Sequence, residues 1–596
     1  MRFKKTAIFL FLITVTTLLT FYCTPGRSQA ERVKLSFSNS LTDLKKKVKE
    51  KFYAAAENGQ AEEIRKAFLE ARKSYKSIEF YIEYFFPSTA VMLNGAPIDE
   101  IELGENLIEN PTGFQVMEGL VFETPSNENR ALLLNEIKKM NLNLDRIDRF
   151  NEQYQITDAQ IFDAIRLEIF RITALGITGF DAPIALNSLT EADASLAGVD
   201  KVLLVYHDEN TAKSIAAARD YLSKNSNFNA FNSLEFTTNH LQDISNNIDR
   251  LKKEKNIPSV SSGSGLNDHT INMFQQDALS LNRFVGNTTL YFSKDKALLG
   301  KMLFSDTILS DRGNRTCQTC HQPDRAFTDG LVKSIAQTKN STLARNTPTL
   351  NYAALQRGFF YDLKAGTLED QALDVIHQKE EMAGSLENAS LRINQSKTYR
   401  KLIKKAYGDS VSKIDPWKIQ HALATYIRTL NPFSSRLDRY MRGEKSQLTA
   451  IEKEGYNLFM GKAKCGSCHF APIFNGTQSP MFLKSEAEVL GVPAKPDTVN
   501  AKIDTDLGRY ALYQYPQYKY AFKTPTLRNI TKTAPYMHNG VYKTLEEVLD
   551  FYNRGGGAGI GIKLDNQTLS TDKLNLNKEE IKAILAFLHS LKDQNS

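Results

Sequence analysis

The chain has 596 residues, of which 41% are hydrophobic and 24% are charged, and its net charge is +7. This length suggests two to four domains. So small an excess of positive charge does not indicate a nucleic-acid-binding surface, and we expect no nucleic-acid partner.

The first segment, MRFKKTAIFLFLITVTTLLTFYC, joins a basic head to an apolar run that ends at Cys23. Small and polar residues follow up to Ala30, which is the layout of a secretory signal peptide over residues 1–30. Two alternatives stay open: Cys23 becomes a lipidated N-terminal cysteine, or the segment is a retained anchor helix. Every version places the working protein outside the cytoplasm, in the periplasm. No later run of ~20 apolar residues exists, so membrane contact is expected only through this N-terminus.

The region 31–255 has the pattern of amphipathic helices. In AEEIRKAFLEARKSYKSIEF, apolar residues recur at spacings of three and four, at Ile64, Phe68, Ala71, Tyr75 and Ile78. A stretch rich in Ser and Gly, NIPSVSSGSGLNDHT, then opens a predicted linker over residues 256–283. We therefore predict an N-terminal helical bundle that this linker separates from the rest of the chain.

Four of the five cysteines stand in two Cys-x-x-Cys-His pentapeptides, CQTCH and CGSCH. A disulfide framework, a redox pair or a four-cysteine zinc site would each use the cysteines, but none explains the histidine that follows each pair. Covalent attachment of c-type haem explains it, because the thiols bond the haem vinyl groups and the imidazole becomes the proximal iron ligand. We predict two c-type haems, held by Cys317, Cys320 and His321 and by Cys465, Cys468 and His469.

The haem region is internally duplicated. Each half reads Leu-Phe, then the haem pentapeptide, then a Phe five or six residues later, then Thr-Pro-Thr-Leu. Two tandem cytochrome c-like domains fit this order, the first over residues 284–434 and the second over residues 435–596. The fold class that we predict is mainly α, with little sheet.

From about Thr288 to the C-terminus, the chain resembles the bacterial di-haem cytochrome c peroxidases and, within them, the MauG-type enzymes. The resemblance rests on motifs in the family's order: LGKMLFSDTILS, CQTCHQPDRAFTDG, RNTPTLN, HQKEEMAG, CGSCHFAPIFNG, DLGRY, TPTLRNITKTAPYMHNG and TLEEVLDFY. It implies an enzyme that reduces hydrogen peroxide to water. Electrons would come from a small cytochrome c or a cupredoxin, enter at or near the second haem and pass to the first.

In this family the first haem reacts with peroxide, and in many members a distal histidine blocks it until reduction. No histidine occurs here between His321 and His377. We therefore expect an open iron, with His377 as the alternative ligand. The resemblance gives the acid–base role to Glu381 and a distal-pocket role to Gln371, whereas we expect Glu380 to be a surface residue.

The second haem of the family carries either a distal methionine or, in MauG-type members, a tyrosinate that lowers the potential. Tyr552 stands fourteen residues after His538 and matches the tyrosine. The alternatives are Met537 as ligand, an open or water-bound site, or a Tyr552 that is only a core aromatic.

Two further features of the family concern the space between the haems. The resemblance implies a Ca²⁺ ion there, with Asn346, Thr533 and Pro535 at the matching positions. It also implies an electron relay, for which GFFYDLKAG places Tyr361 where the family usually has tryptophan. Because tyrosine must also lose a proton when it is oxidised, fast charge sharing between the haems is in doubt.

The N-terminal region weakly resembles imelysin-like helical domains through GFQVMEGLVFE, but Gln115 replaces the histidine of their metal signature. We expect an interaction module there, on which a protein substrate would dock, or else a structural cap. The leading hypothesis is an exported di-haem peroxidase. The alternatives are a MauG-type oxidase of a protein or organic substrate, and a non-catalytic electron-transfer or haem-sensor protein.

Overall fold

The computed structural model describes residues 27–102, 107–122, 127–411 and 413–594. Cys23 and most of the predicted signal peptide lie outside the described residues. The predicted cleavage point after Ala30 falls in the first turn of a helix, where the Ser28 hydroxyl accepts from the backbone N–H of Glu31 and the Glu31 carboxylate accepts from that of Ser28. Among the described residues, no helix is both long enough and apolar enough to span a bilayer.

The N-terminal region is a helical bundle with one short hairpin. Its helices are α1 (Gln29–Lys46), α2 (Tyr53–Asn58), α3 (Ala61–Lys76), α4 (Glu79–Phe85), α5 (Pro87–Asn94), α6 (Phe114–Phe122), α7 (Asn127–Gln153), α8 (Asp158–Arg171), α9 (Ser188–Val205), α10 (Glu209–Lys224), α11 (Ser233–Glu235) and α12 (Gln242–Glu254). Strands β1 (Glu100–Glu102) and β2 (Leu107–Glu109) pair antiparallel between α5 and α6. As the periodicity predicts, α3 buries Phe68, Ala71 and Tyr75 against the bundle core.

The haem region is also built from helices. They are α13 (Lys294–Phe304), α14 (Leu368–His377), α15 (Leu386–Gln395), α16 (Lys397–Tyr407), α17 (Pro416–Ile427), α18 (Arg436–Met441), α19 (Ala450–Met460), α20 (Tyr510–Tyr513), α21 (Leu545–Asn553), α22 (Gly556–Gly559) and α23 (Lys578–Ser590). Strands β3 (Ala487–Val489) and β4 (Ala521–Lys523) form an antiparallel pair. The mainly α fold class is confirmed.

The two haem domains, which are duplicated in sequence, contain matching helix crossings. In the first haem domain α13 crosses α17 at Gly300, where a Cβ would lie 1.9 Å from the carbonyl oxygen of Ala422. In the second, α19 crosses α23 at Gly455, where a Cβ would lie 1.9 Å from that of Ala583. Only glycine permits so close an approach of the two backbones. The same crossing therefore organises both haem domains.

The described residues form three buried apolar clusters, of which one lies within the N-terminal bundle. Another fills the second haem domain and continues into the N-terminal bundle through Leu167, Phe170, Leu175 and Leu234. The predicted linker takes part in it, with Leu266, Met273 and Phe274 among its buried residues. The first haem domain has a core of its own. The N-terminal bundle and the second haem domain thus share apolar core, whereas the predicted boundaries at 255/256 and 434/435 stay predictions.

Candidate functional site: two haem pockets

The first pentapeptide folds so that its histidine presents one ring nitrogen. Cys317–Thr319 form a 3₁₀ turn, and the N–H of His321 donates to the carbonyl of Cys317. Nδ1 of His321 lies 2.9 Å from the carbonyl oxygen of Phe327. Since a carbonyl can only accept, Nδ1 carries the proton and Nε2 keeps its lone pair for a metal. Burial lowers the pKa of His321, which keeps the ring neutral as a ligand must be.

The cavity above this imidazole has the lining that a haem requires. Its empty space, counted up to its mouth and including the solvent there, is about 650 Å³. Both thiols and His321 line one side, and apolar side chains form most of the remaining wall: Phe304, Leu350, Ala372, Val375, Ile376, Met382, Leu423 and Ile427. The predicted haem ligands of the first domain therefore share one largely apolar cavity.

The predicted distal residues line the same cavity. Gln371 comes from α14, and Glu381 comes from the turn that follows this helix. Burial raises the pKa of Glu381 to about 6, while the positive charges of Lys364 and Arg315 oppose the rise. Such a carboxyl can both accept and return a proton near neutral pH.

Two neighbours of this carboxylate point elsewhere. Glu380 accepts from the backbone N–H and hydroxyl of Thr338, at 3.0 and 2.8 Å, and is exposed, as predicted. His377 is exposed at the end of α14 and does not line the cavity. This geometry gives no support to His377 as an alternative ligand.

Sequence reasoning missed Arg315, which lines the first cavity two residues before Cys317. Its guanidinium acts on the pKa values of both Glu381 and Cys320, so it lies close to both. Its position beside the haem motif, in NRTCQTCH, could have suggested a role in the pocket. An arginine next to a cysteine motif is too common, however, to predict such a role. Arg315 gives the pocket a fixed positive charge near Glu381.

The second pentapeptide repeats the proximal arrangement. Cys465–Ser467 form a 3₁₀ turn, and Nδ1 of His469 lies 3.2 Å from the carbonyl oxygens of both Phe474 and Pro525. Nε2 is again left free, and burial lowers the pKa of His469 to about 4. All four cysteines of the two motifs are free thiols, and within the described ranges no cluster of three or more His, Cys, Asp or Glu could hold a metal. Among these residues the geometry therefore supports haem attachment and gives no support to a disulfide or a shared zinc site.

Tyr552 lies on α21, close to the second pentapeptide. Burial raises its phenol pKa, and the next strongest influences are Cys468 and Cys465, which shows how near it lies to the haem-attachment thiols. Among the described residues its hydroxyl has no hydrogen-bond partner. Met537, the alternative ligand, lies in the loop before α21 and packs at the edge of the core. Its role and that of Tyr552 stay predictions.

A second acid in this pocket gave no sequence signal. Glu488 stands on β3, and burial raises its pKa, while hydrogen bonds from Thr568 and Cys468 lower it. It also acts on the pKa of Tyr552. A single glutamate in the short strand AEV has no motif around it, and only the folding of β3 against the haem motif reveals its position.

Between the two domains, Tyr361 and Asn346 form one contact. The Tyr361 hydroxyl donates to Oδ1 of Asn346 at 3.3 Å, and burial raises the pKa of this phenol. The backbone N–H of Asn346 donates to the carbonyl of His538 at 2.7 Å, which places it against the loop that begins with Pro535. Thr533 donates its hydroxyl to the carbonyl of Ile530. Asn346 thus meets the second domain, but the predicted Ca²⁺ site stays a prediction.

The centre of the N-terminal bundle is filled by its own cations. Gln115 donates its side-chain amide to the carbonyl of Asn94 at 3.0 Å. The buried guanidinium of Arg72 pairs with Glu191 and acts on the pKa of Glu118, the acid of the imelysin-like signature. A guanidinium in this place repels a metal cation, which agrees with the loss of the histidine at Gln115.

Known proteins resemble this chain over its haem region. The sequence profile described as di-haem cytochrome c peroxidase matches residues 294–446. Cytochrome-c peroxidase IdrP2 of Denitromonas iodatirespirans is 32% identical over 313 residues, which cover 50% of this chain and 81% of the relative. Methylamine utilization protein MauG of Methylorubrum extorquens is 32% identical over 343 residues, which cover 56% of this chain and 90% of the relative.

Among solved structures, a MauG-like protein associated with microbial copper homeostasis is 29% identical. The match covers 52% of this chain and 92% of that one, with a TM-score of 0.45. The two curated relatives are covered over most of their length at more than 30% identity. The family implies two haems, and the chain belongs to the di-haem cytochrome c peroxidase family of oxidoreductases.

Proposed function

We propose that the protein is an exported di-haem c-type peroxidase that reduces hydrogen peroxide to water with electrons from a small periplasmic redox protein. The observation that carries the proposal is the first cavity, in which Glu381 and Gln371 face the same space as Cys317, Cys320 and His321. An electron-transfer protein or sensor would have no need for a buried carboxyl with a pKa near neutrality in that space.

The chain's own contribution is to move a proton. Reduction of one hydrogen peroxide to two waters consumes two electrons and two protons. The Glu381 carboxylate takes the proton from one peroxide oxygen and returns it to the other, which then leaves as water. Gln371 has an amide that donates to and accepts from the peroxide and orients it. Cys317, Cys320 and His321 would hold the haem, which would supply the redox chemistry needed to break the oxygen–oxygen bond.

The experiment mixes purified, fully oxidised protein with peroxide and follows visible absorption and EPR spectra, with and without prior one-electron reduction. Peroxide consumption is then measured with a reduced cytochrome c or cupredoxin as donor. A reaction of the oxidised protein is expected, because no histidine lines the first cavity beyond His321. A reaction only after reduction would contradict the open first site, and no reaction in either state would refute peroxidase function.

A MauG-type oxidase is the second candidate, and the position of Tyr552 beside Cys465 and Cys468 favours it. Such an enzyme would use the two oxidising equivalents of peroxide to oxidise a protein or organic substrate rather than an electron donor. The measurement that separates the candidates is turnover without a reduced donor protein. Steady peroxide consumption coupled to oxidation of an added organic substrate would favour the oxidase.

The export of the protein is part of the proposal and rests on the sequence MRFKKTAIFLFLITVTTLLTFYC. Fractionation of cells, followed by mass spectrometry of the mature N-terminus, distinguishes cleavage after Ala30 from lipidation of Cys23. An uncleaved chain in the cytoplasm would contradict export.

Calcium is proposed as a structural ion at Asn346, Thr533 and Pro535. Its support is the Asn346 side-chain oxygen, which hard cations prefer, at the junction of the two haem domains. Metal analysis before and after dialysis against EGTA tests the assignment. An Asn346→Ala variant that keeps one Ca²⁺ per chain would contradict it.

A further inference from the structure

Two backbone segments lead from the haem-binding histidines into the same part of the buried core. They are the repeated Thr-Pro-Thr-Leu segments of the two haem domains. Tyr352 stands four residues after Pro348, whose carbonyl accepts a hydrogen bond from the first proximal histidine. Asn529 stands four residues after Pro525, whose carbonyl oxygen lies 3.2 Å from Nδ1 of the second proximal histidine. Four extended residues span at most about 14 Å, so each segment end stays close to its own haem-binding histidine.

Both segments end at the carboxylate of Asp593. The Tyr352 hydroxyl donates to Oδ2 of Asp593 at 2.8 Å, and Nδ2 of Asn529 donates to the same oxygen at 2.8 Å. The backbone N–H of Asp593 in turn donates to Oδ1 of Asn529 at 2.8 Å. Tyr352 is fully buried, and Asp593 is 2% exposed. A phenol and a carboxylate thus form a hydrogen-bonded pair inside the protein, where the two repeats meet.

The position of the Tyr352 phenol is fixed from both ends. Its backbone has a φ of 60°, in the left-handed region that bulky residues rarely adopt. The backbone N–H donates to the carbonyl of Leu430 at 2.9 Å, and the hydroxyl accepts from the N–H of Phe433 at 2.9 Å. Such a backbone conformation persists only where the surrounding structure holds it. The hydroxyl therefore has one defined direction, towards Asp593.

A buried arginine connects this pair to the second haem-attachment loop. The guanidinium of Arg528 lies 4.9 Å from the centre of the Tyr352 ring, and its Nε donates to the carbonyl of Pro472 at 2.9 Å. Two hydrogen bonds, at 2.9 and 2.7 Å, join the same guanidinium to the buried carboxylate of Asp438. Asp438 thus offsets the positive charge beside the phenol. Tyr352 touches the first haem domain through its backbone and the second through Arg528.

Tyr361, the tyrosine at the family's relay position, has a different partner. Its hydroxyl donates to the amide oxygen of Asn346 at 3.3 Å. An oxidised phenol must release its proton, because a buried cation without compensation is costly. A carboxylate at hydrogen-bond distance accepts that proton, whereas an amide oxygen does not hold it. Of these two tyrosines, Tyr352 is the one whose hydrogen-bond partner can take the proton when the electron leaves.

We propose that Tyr352 and Asp593 form a redox-active pair that gives an electron to a haem oxidised by peroxide. This inference rests on the proposed function and deepens it by naming a residue that stores an oxidising equivalent. One electron passes from the phenol to the haem, the phenolic proton moves to the Asp593 carboxylate, and a neutral tyrosyl radical remains. An electron from the donor protein, arriving by way of the second haem, then reduces the radical, and Asp593 returns the proton.

The test replaces Tyr352 by 3-fluorotyrosine in the full-length, haem-loaded protein. This label keeps the hydroxyl and nearly the same shape. The protein is mixed with hydrogen peroxide in the absence of a donor, frozen soon afterwards and measured by EPR. The tyrosyl radical signal should show a splitting from the fluorine nucleus. The matched control carries the label at Tyr456, which is buried in the same apolar cluster, and its signal should show no such splitting.

Two substitutions test the pair itself. Tyr352→Phe and Asp593→Asn should each lower the radical yield by about tenfold or more, because the first removes the phenol and the second removes the proton acceptor. Tyr456→Phe should leave the yield unchanged. A full yield in Asp593→Asn would overturn the role of the carboxylate.

The absence of fluorine splitting in the protein labelled at position 352, with or without another radical, would overturn the proposal. This result does not depend on how well the substituted variants fold. Visible absorption of the haems is recorded in the same samples. If peroxide changes the absorption and no radical forms on Tyr352, this inference fails and the peroxidase proposal stands. If peroxide leaves the absorption unchanged, both fail.

Discussion

The two haem pockets are alike on one side and different on the other. In both, a 3₁₀ turn carries the thiols, and Nδ1 of the histidine pairs with backbone carbonyls, at 2.9 Å in the first pocket and 3.2 Å in the second. On the other side, the first pocket has Glu381 and Gln371, whereas the second has Tyr552 and Glu488. The pentapeptide thus determines how a haem is held, and distant segments determine what it does.

The largest expected effect comes from Glu381→Gln, which removes the proton acceptor of the first pocket and keeps its shape. Peroxide activation should slow by ~10²-fold or more, measured by stopped-flow absorption. Glu380→Gln is the matched control, because that residue is exposed and contacts Thr338 instead. Equal rates in Glu381→Gln and the unaltered protein would remove the functional difference between the pockets.

Replacement of Tyr552 tests the other pocket. Tyr552→Met should raise the reduction potential of the second haem by on the order of 100 mV, a fraction of the ~0.8 V range that axial ligands span. The potential is measured by spectroelectrochemical titration. Tyr542→Phe is the control, since Tyr542 is buried nearby and packs on Phe551. An unchanged potential in Tyr552→Met would mean that this tyrosine is only a core aromatic.

The two glycine crossings test the likeness between the domains. Gly300→Ala and Gly455→Ala should each lower the free energy of unfolding by about 1–3 kcal/mol, because each new methyl group meets a carbonyl oxygen. Urea unfolding measures the loss. Gly366→Ala, where the added Cβ has open space, is the control. Tolerance of one substitution and not the other would show that the crossings are not equivalent.

The pH dependence of peroxide activation should distinguish the first pocket by a smaller effect. With a pKa of about 6 for Glu381, peroxide activation should rise with pH up to that value and fall about tenfold per pH unit below it. The raised pKa also means that the folded state holds the proton more tightly than the unfolded chain. Its stabilising contribution is present below pH ~4.5, is lost as pH rises through 6, and amounts to about 2 kcal/mol. Glu381→Gln should abolish both slopes, and a persistent rise would assign the titration elsewhere.

The sequence predicted those features of the fold and of the site that depend on local residue patterns. The spacing of nearby residues predicts the amphipathic helix α3, the haem pentapeptides and the mainly α class. Glu381 was found through the resemblance, because an adjacent acidic pair alone looks like a solvated surface. Glu380 and Glu381 differ only in which way the turn after α14 points them.

The features that the sequence did not predict depend on contacts between distant segments of the chain. Glu488 meets Cys468 only because β3 pairs with β4, thirty-odd residues further on. The docking of Phe180 on Phe470 joins residues almost three hundred positions apart, and no composition or spacing predicts it. The apolar contacts between the N-terminal bundle and the second haem domain gave no sequence signal for the same reason.

A shared apolar cluster couples the N-terminal bundle, which also has a core of its own, to the second haem domain. Opening either would expose Leu167, Phe170 and Leu234 together with their partners across the contact, so the two should melt in a single cooperative step. The first haem domain has its own core, but its residues Tyr352, Leu355 and Phe433 also belong to the shared cluster. The three segments of the chain are therefore joined in the structure by one apolar cluster that reaches each of them.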